Sequence, residues 1–344
     1  MTTPRRNIPP GLREQLDLGY VFGSVQTFGQ RPLVTELQQL ADWQADVAIV
    51  GAPFDLGTTN RPGARFGPRS LRSDAYEPGT YHLDLGLEIF DWLEVVDVGD
   101  AYCPSGLVQE SLDNIKAKVA SVVELGVLPI TIGGDHTVTW PAPTAVAEPH
   151  GFGTVGMVHF AAHADTADTI DGNLASHGTP MRRLIDSGAI PGKNFVQIGL
   201  RGYWPGADVW AWMAEQGMRW HLMDEVHQRG LDAVLTDAIA EAMDGVDHLY
   251  VSVDIDCLDP AFAPGTGTPE PGGLTSADLL RALRRLARET PLVGFDLMEV
   301  APAYDHADCT VNVAHRCIFE VLAGLASVRR DAGRMNPTAD GATR

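Results

Sequence analysis

Cysteine is scarce in this 344-residue sequence. Cys103, Cys257, Cys309 and Cys317 are too few and too irregularly spaced for a disulfide framework, and none forms the C-x-x-C pair of a zinc ribbon. Basic residues are short too: 25 Lys and Arg stand against 45 Asp and Glu, a net charge of −20. Such an acidic surface repels a phosphate backbone and an anionic leaflet, so neither nucleic acid nor membrane is an expected partner. It draws in cations instead. No stretch reads as the roughly 20 apolar residues of a membrane span. Residues 1–10 are polar, with Arg5 and Arg6 and no apolar h-region behind them, so the expected location is cytoplasmic. The glycine-rich run at 265–273 lacks the G-x-x-x-x-G-K-[ST] arrangement of a phosphate loop and reads as a turn, with Glu270 exposed on it toward substrate or a neighbour.

The hydrophobic content of 44% is ample for a core. Short runs that are apolar on both faces, as buried parallel strands are, occur at 46–51, 94–99, 128–133, 154–160, 195–200, 219–223, 248–254 and 292–298. Helical periodicity is clearest at 107–125, 231–243, 276–289 (capped by Thr275 or Ser276) and 310–329. Strand–helix alternation of this kind predicts an α/β fold, a three-layer α-β-α arrangement around a mostly parallel sheet of about eight strands. No linker or fixed-period repeat divides the chain, so 1–344 reads as one domain. Residues 1–40 read as an extension wrapping the surface or a neighbouring subunit, and those from about 330 as a frayed tail.

Ligands of open α/β sheets bind beyond the carboxyl ends of the strands. There this sequence places Gly133-Gly134-Asp135-His136, Ala161-Ala162-His163-Ala164-Asp165, Asp254-Ile255-Asp256 and Glu299. Residues i and i+2 of an extended segment share a face, so Asp254 with Asp256, and His163 with Asp165, are expected to face one cation cluster. Imidazoles among carboxylates suit a borderline-to-hard divalent ion such as Mn, Ni or Zn, and enough acids are present to hold two. Taken singly, Asp135 and Asp256 read equally well as turn or cap residues. Cys257 reads as a packed thiol, and His306 to Asp308 as surface loop. Trp204, Trp210 and Trp212 read as core or subunit contact ahead of substrate contact.

These stretches resemble the signatures of the ureohydrolase family, which includes arginases and agmatinases: G-G-D-H at 133–136, A-A-H-A-D at 161–165 and S-V-D-I-D-C-L-D-P at 252–260. R-P-G-A-R-F-G-P at 61–68, S-H-G-T-P at 176–180, P-G-T-G-T-P at 264–269 and F-D-L-M-E-V-A-P at 295–302 extend the match, and the wording is nearer to agmatinases than to arginases. The resemblance implies two divalent ions, Mn or Ni, one on His136, Asp165 and Asp254 and the other on His163, Asp254 and Asp256. Water activated between them would attack the guanidinium carbon of a small cationic substrate, releasing urea and an amine. His177 would shuttle protons and Glu299 would pair with the guanidinium. A homo- or hetero-oligomer, trimer or hexamer, is also implied. Agmatine suits the acidic surface, while guanidino acids, guanidine itself and dimethylated biguanides stay open.

One position departs from the pattern. The family's motif begins with Asp where this chain has Ala161, and that missing carboxylate is the ligand that would bridge both ions. His159, two residues earlier on the same strand face, is expected to pack rather than to substitute. Three explanations stand: an engineered change trapping a metal-poor state, a natural loss in a subunit that supports an active relative, or a site working with one weakly held ion.

Overall fold

The computed structural model describes residues 25–36, 39–76 and 79–333. Its ten strands are β1 (Val47–Ala52), β2 (Tyr81–His82), β3 (Leu87–Glu88), β4 (Val95–Asp100), β5 (Leu128–Gly133), β6 (Val155–Phe160), β7 (Phe195–Leu200), β8 (Arg219–Leu222), β9 (His248–Asp254) and β10 (Leu292–Met298). Eight form one sheet in the order β4-β1-β5-β10-β9-β6-β7-β8, every pairing parallel, while β2 and β3 make a small antiparallel ribbon. All eight expected strands are present, shifted by at most one residue at either end.

Both faces of the sheet are covered, which is why its strands carry apolar side chains on both sides. On one face Leu231–Ala242, Ser276–Glu289 and Cys309–Asp331 pack against Ile130, Val158, Val251 and Phe295. On the other, Val108–Val123, Pro141–His150 and Pro180–Asp186 pack against Val50, Val96, Met157 and Tyr250. Thr275 is the cap of the helix Ser276–Glu289, its hydroxyl accepting from Asp278 N.

Several expectations need correction. The helices Gly67–Ser73, Pro141–His150, Pro180–Asp186, Ala207–Glu215 and Met223–Arg229 were not expected. They are short, and three open on Pro at N1 or N2, a start signal easily read as a turn. Cys309–Asp331 is, by length and composition, apolar enough to span a bilayer, contrary to the reading of the sequence. It is a core helix, with Val311, Ala314, Ile318 and Leu322 buried against the sheet and the helix Ser276–Glu289. Of the two terminal segments, 1–24 and 334–344 lie outside the described residues. Residues 25–36 pack along the sheet edge, where Val34 N donates to Asp97 O and Phe28 is fully buried.

Candidate active site

The sheet order puts β5, β10, β9 and β6 side by side at its centre, so four chain segments release their next residues over one spot. From β5 comes His136, from β10 Glu299, from β9 Asp254 and Asp256, and from β6 Ala161, His163 and Asp165. The structure brings these together. His136 Nδ1 lies 2.9 Å from Asp165 Oδ2 and 3.1 Å from Asp254 Oδ2, and His163 Nδ1 lies 2.9 Å from Asp256 Oδ2. His177 Nδ1 is 2.9 Å from Glu299 Oε1. The i, i+2 argument fails in detail, however. Asp165 sits beyond the strand at φ +52° and meets His136 rather than sharing a partner with His163, and Asp256 belongs to a 3-10 turn. Convergence comes from these turns, not from strand alternation. Asp165 and Glu299 (φ +67°) both occupy the left-handed region, strain of the kind that collects at functional sites.

The electrostatics show why a cation belongs here. Burial raises the Asp254 carboxyl well above its ordinary value, with Asp256 adding like-charge repulsion. Burial likewise raises Asp165. Burial opposes charging of His136, but Asp165 and Asp254 overcome it and hold the ring well above its usual range. For His163, Asp256 outweighs burial and lifts the ring to about 9, while Asp256, despite burial, is held at about 2 by His163. Shared protons thus balance three buried carboxylates. Two imidazoles and three carboxylates, with no thiolate among them, fit the divalent ions expected from the sequence.

Surrounding groups aim the donors. Ser252 Oγ lies 3.1 Å from His136 Nε2 and hydrogen-bonds Asp296, whose carboxylate also accepts from Tyr250 and Thr139. That chain keeps His136 Nδ1 turned to the centre. His136, His159 and Asp165 offer donor atoms within 4.8 Å of one another, so by distance His159 is a candidate ligand, contrary to the expectation that it only packs. Gln197 Nε2 donates to Ala164 O and lies 2.9 Å from His159 Nδ1. Burial, and then the His136 charge, keeps that ring neutral. Asp135 does the cap work foreseen for it, accepting from Thr137 N and also from Gly57 N.

The sequence reading missed Thr59, which lies against His177 Nε2 through both its backbone N, at 3.2 Å, and its hydroxyl, at 2.7 Å. Only the R-P-G-A-R run two residues on hinted at it. Ile170 was missed as well, while Gly178 and Thr268 stand inside the S-H-G-T-P and P-G-T-G-T-P motifs without a role assigned to them; all three line, with Thr59, His163, Asp165, His177, Trp204 and Asp254, a cavity of about 280 Å³. Trp204 is therefore a wall of the site. Trp210 and Trp212 pack against the sheet layer as expected, and Cys257 is fully buried.

A description of the arginase family matches residues 45–324. The chain is 41% identical to a mitochondrial agmatinase of Gallus gallus over 286 residues, 83% of this chain and 82% of that protein. It is 40% identical to a mitochondrial guanidino acid hydrolase of Homo sapiens over 283 residues, 82% and 79% of the two chains. The structure of proclavaminate amidino hydrolase from Streptomyces clavuligerus superposes with a TM-score of 0.80 at 36% identity, covering 90% of this chain and all of that one.

Proposed function

The chain belongs to the arginase family, a family of hydrolases, and from that premise we propose that it hydrolyses a small guanidino compound to urea and an amine with the help of divalent metal, Mn or Ni. One observation carries this reading. Glu299 Oε1 is taken by His136 N and His177 Nδ1, both at 2.9 Å, while Oε2 is buried with no partner. A side chain at Gly267 would come within 3.5 Å of that oxygen, and glycine keeps the space open. A carboxylate oxygen held free in a buried cluster is the acceptor a planar guanidinium requires.

Divalent ions, when bound, supply the Lewis acidity that makes water nucleophilic at neutral pH. His136, Asp165 and Asp254 would hold one, and His163, Asp254 and Asp256 the other. The remaining work falls to the protein. Glu299 orients the guanidinium and, through Oε1, fixes His177. Burial opposes a charge on His177, but Glu299 lifts the ring to about 10, so it stands ready to protonate the leaving amine. The Thr59 backbone N–H donates to Nε2 and so favours the neutral ring, while the Thr59 hydroxyl can accept from a charged Nε2–H or donate to a neutral Nε2.

Ala161 leaves each ion three protein donors, with Asp254 the one carboxylate they share. The expected outcome is fewer than two ions per chain in the protein alone, by elemental analysis, and a clear rise in Ala161→Asp together with faster urea release from a panel of guanidines. No urea from Ala161→Asp with Mn or Ni at any guanidine tested would sink the hydrolase reading. The same substitution favours a second reading, a non-catalytic subunit supporting an active relative in a mixed oligomer. That reading predicts co-purification with a chain carrying Asp at the matching position, and two full-occupancy ions per chain in a homogeneous oligomer would exclude it.

A further inference from the structure

We propose that the arm of the substrate beyond its guanidinium is uncharged and apolar, and that Trp204 and Ile170 select it. The inference rests on the hydrolase reading and supplies the other half of the substrate.

Apart from the donors and His177, the cavity walls are Thr59, Ile170, Gly178, Trp204 and Thr268. Among the described residues no Lys or Arg lines it, and its two histidines, His163 and His177, are already paired with Asp256 and Glu299, so an acid arm finds no unpaired cation. Among the described residues the only carboxylates lining it, Asp165 and Asp254, belong to the donor set, so an ammonium arm finds no acid left over. Arg201 is spent on the backbone oxygens of Gly199, Asp256, Cys257, Leu258, Glu270 and Pro271, and Arg61 holds its guanidinium 5.3 Å over the Tyr304 ring. Arg183 pairs with Asp168 and Asp186. The Glu270 carboxylate lies beside Gly202 and does not line the cavity.

The wall has a definite shape. A Cβ on Gly178 would sit 3.4 Å from Ile170 Cδ1 and 3.5 Å from Trp204 Cη2, so both side chains close on the bare Gly178 backbone as one apolar surface. The Trp204 ring stands edge-on to His163 with centroids 6.2 Å apart, so this surface begins at the donor set itself. A methylene buried against it is worth about fourfold in affinity. A charged terminus in the same place sheds hydration and gains no partner.

Four ligands test this by calorimetric titration of the Mn-loaded full chain: guanidine, n-butylguanidine, agmatine and 4-guanidinobutyrate. The last three share a four-carbon arm and differ at its end, which is methyl-terminated, an ammonium or a carboxylate. n-Butylguanidine is expected to bind at least about tenfold tighter than either charged analogue. Trp204→Ala is expected to cut its advantage over guanidine about tenfold, and Trp204→Phe to keep most of it. Tighter binding of agmatine or 4-guanidinobutyrate overturns the assignment, as does an advantage undiminished in Trp204→Ala. Failure of all four, guanidine included, to bind either the parent chain or Mn-loaded Ala161→Asp removes the hydrolase reading and this inference with it, whereas guanidine bound without arm discrimination removes this inference alone.

Discussion

At the scale of single residues, chemistry here is decided by which atom is left without a partner. Glu299 Oε2 is buried and unpaired, and His177 Nε2 faces a hydroxyl able to give or take a proton. His315 shows the same logic outside the site. Its ring lies between Phe28 and Phe319, with centroids 4.7 Å from each, and its Nδ1 has no partner. Burial, and then the neighbouring Arg316 charge, pushes the ring down to about 3. Between an ordinary histidine value near 6.5 and that figure, the unfolded chain takes up a proton the folded one refuses. Stability from this group is therefore whole above about pH 6.5 and is lost as pH falls through the window, by about 2 kcal/mol at pH 5. Urea melts at pH 7.5 and pH 5 should show a smaller acid loss in His315→Phe than in the parent chain, and equal losses would refute the point.

At the scale of elements, one ion pair ties a helix the sequence did not announce to a strand it did. Arg72, on Gly67–Ser73, grips Asp97 of β4 with Nε at 2.7 Å and Nη2 at 2.9 Å, and also reaches Asp100. Asp97 is fully buried and accepts from Phe28 N as well, so the same carboxylate anchors the N-terminal segment. Removing the guanidinium strands that charge. Arg72→Met should cost about 3–5 kcal/mol in denaturant unfolding, with much of it regained when Asp97→Asn is added. A loss below about 1 kcal/mol would show that water reaches the carboxylate. The strands were legible because parallel strands covered on both faces leave uninterrupted apolar runs. The short proline-started helices were not, since seven to ten residues give too few turns for a period to register.

At the scale of the whole molecule, metal and fold are expected to be coupled, because donors from β5, β6 and β9 meet only when the sheet is complete. Saturating Mn, at about a hundred times its dissociation constant, should stabilise the chain by about 2.7 kcal/mol and raise Tm by a few degrees, an effect EDTA reverses. Calorimetric scans with Mn and with EDTA check this, and the shift should be larger in Ala161→Asp. The sequence by itself determined the layer order and named His136, His163, Asp165, Asp254, Asp256, His177 and Glu299, because strand ends and motif wording are local properties. Only the tertiary structure decided that Asp165 partners His136, that Gln197 lies against His159 Nδ1, and that Thr59, Ile170, Gly178 and Trp204 wall the cavity. Those outcomes depend on distances between segments far apart in the chain, 118 residues for Thr59 and His177, and such distances are set by how sheet and turns pack, which no local pattern encodes.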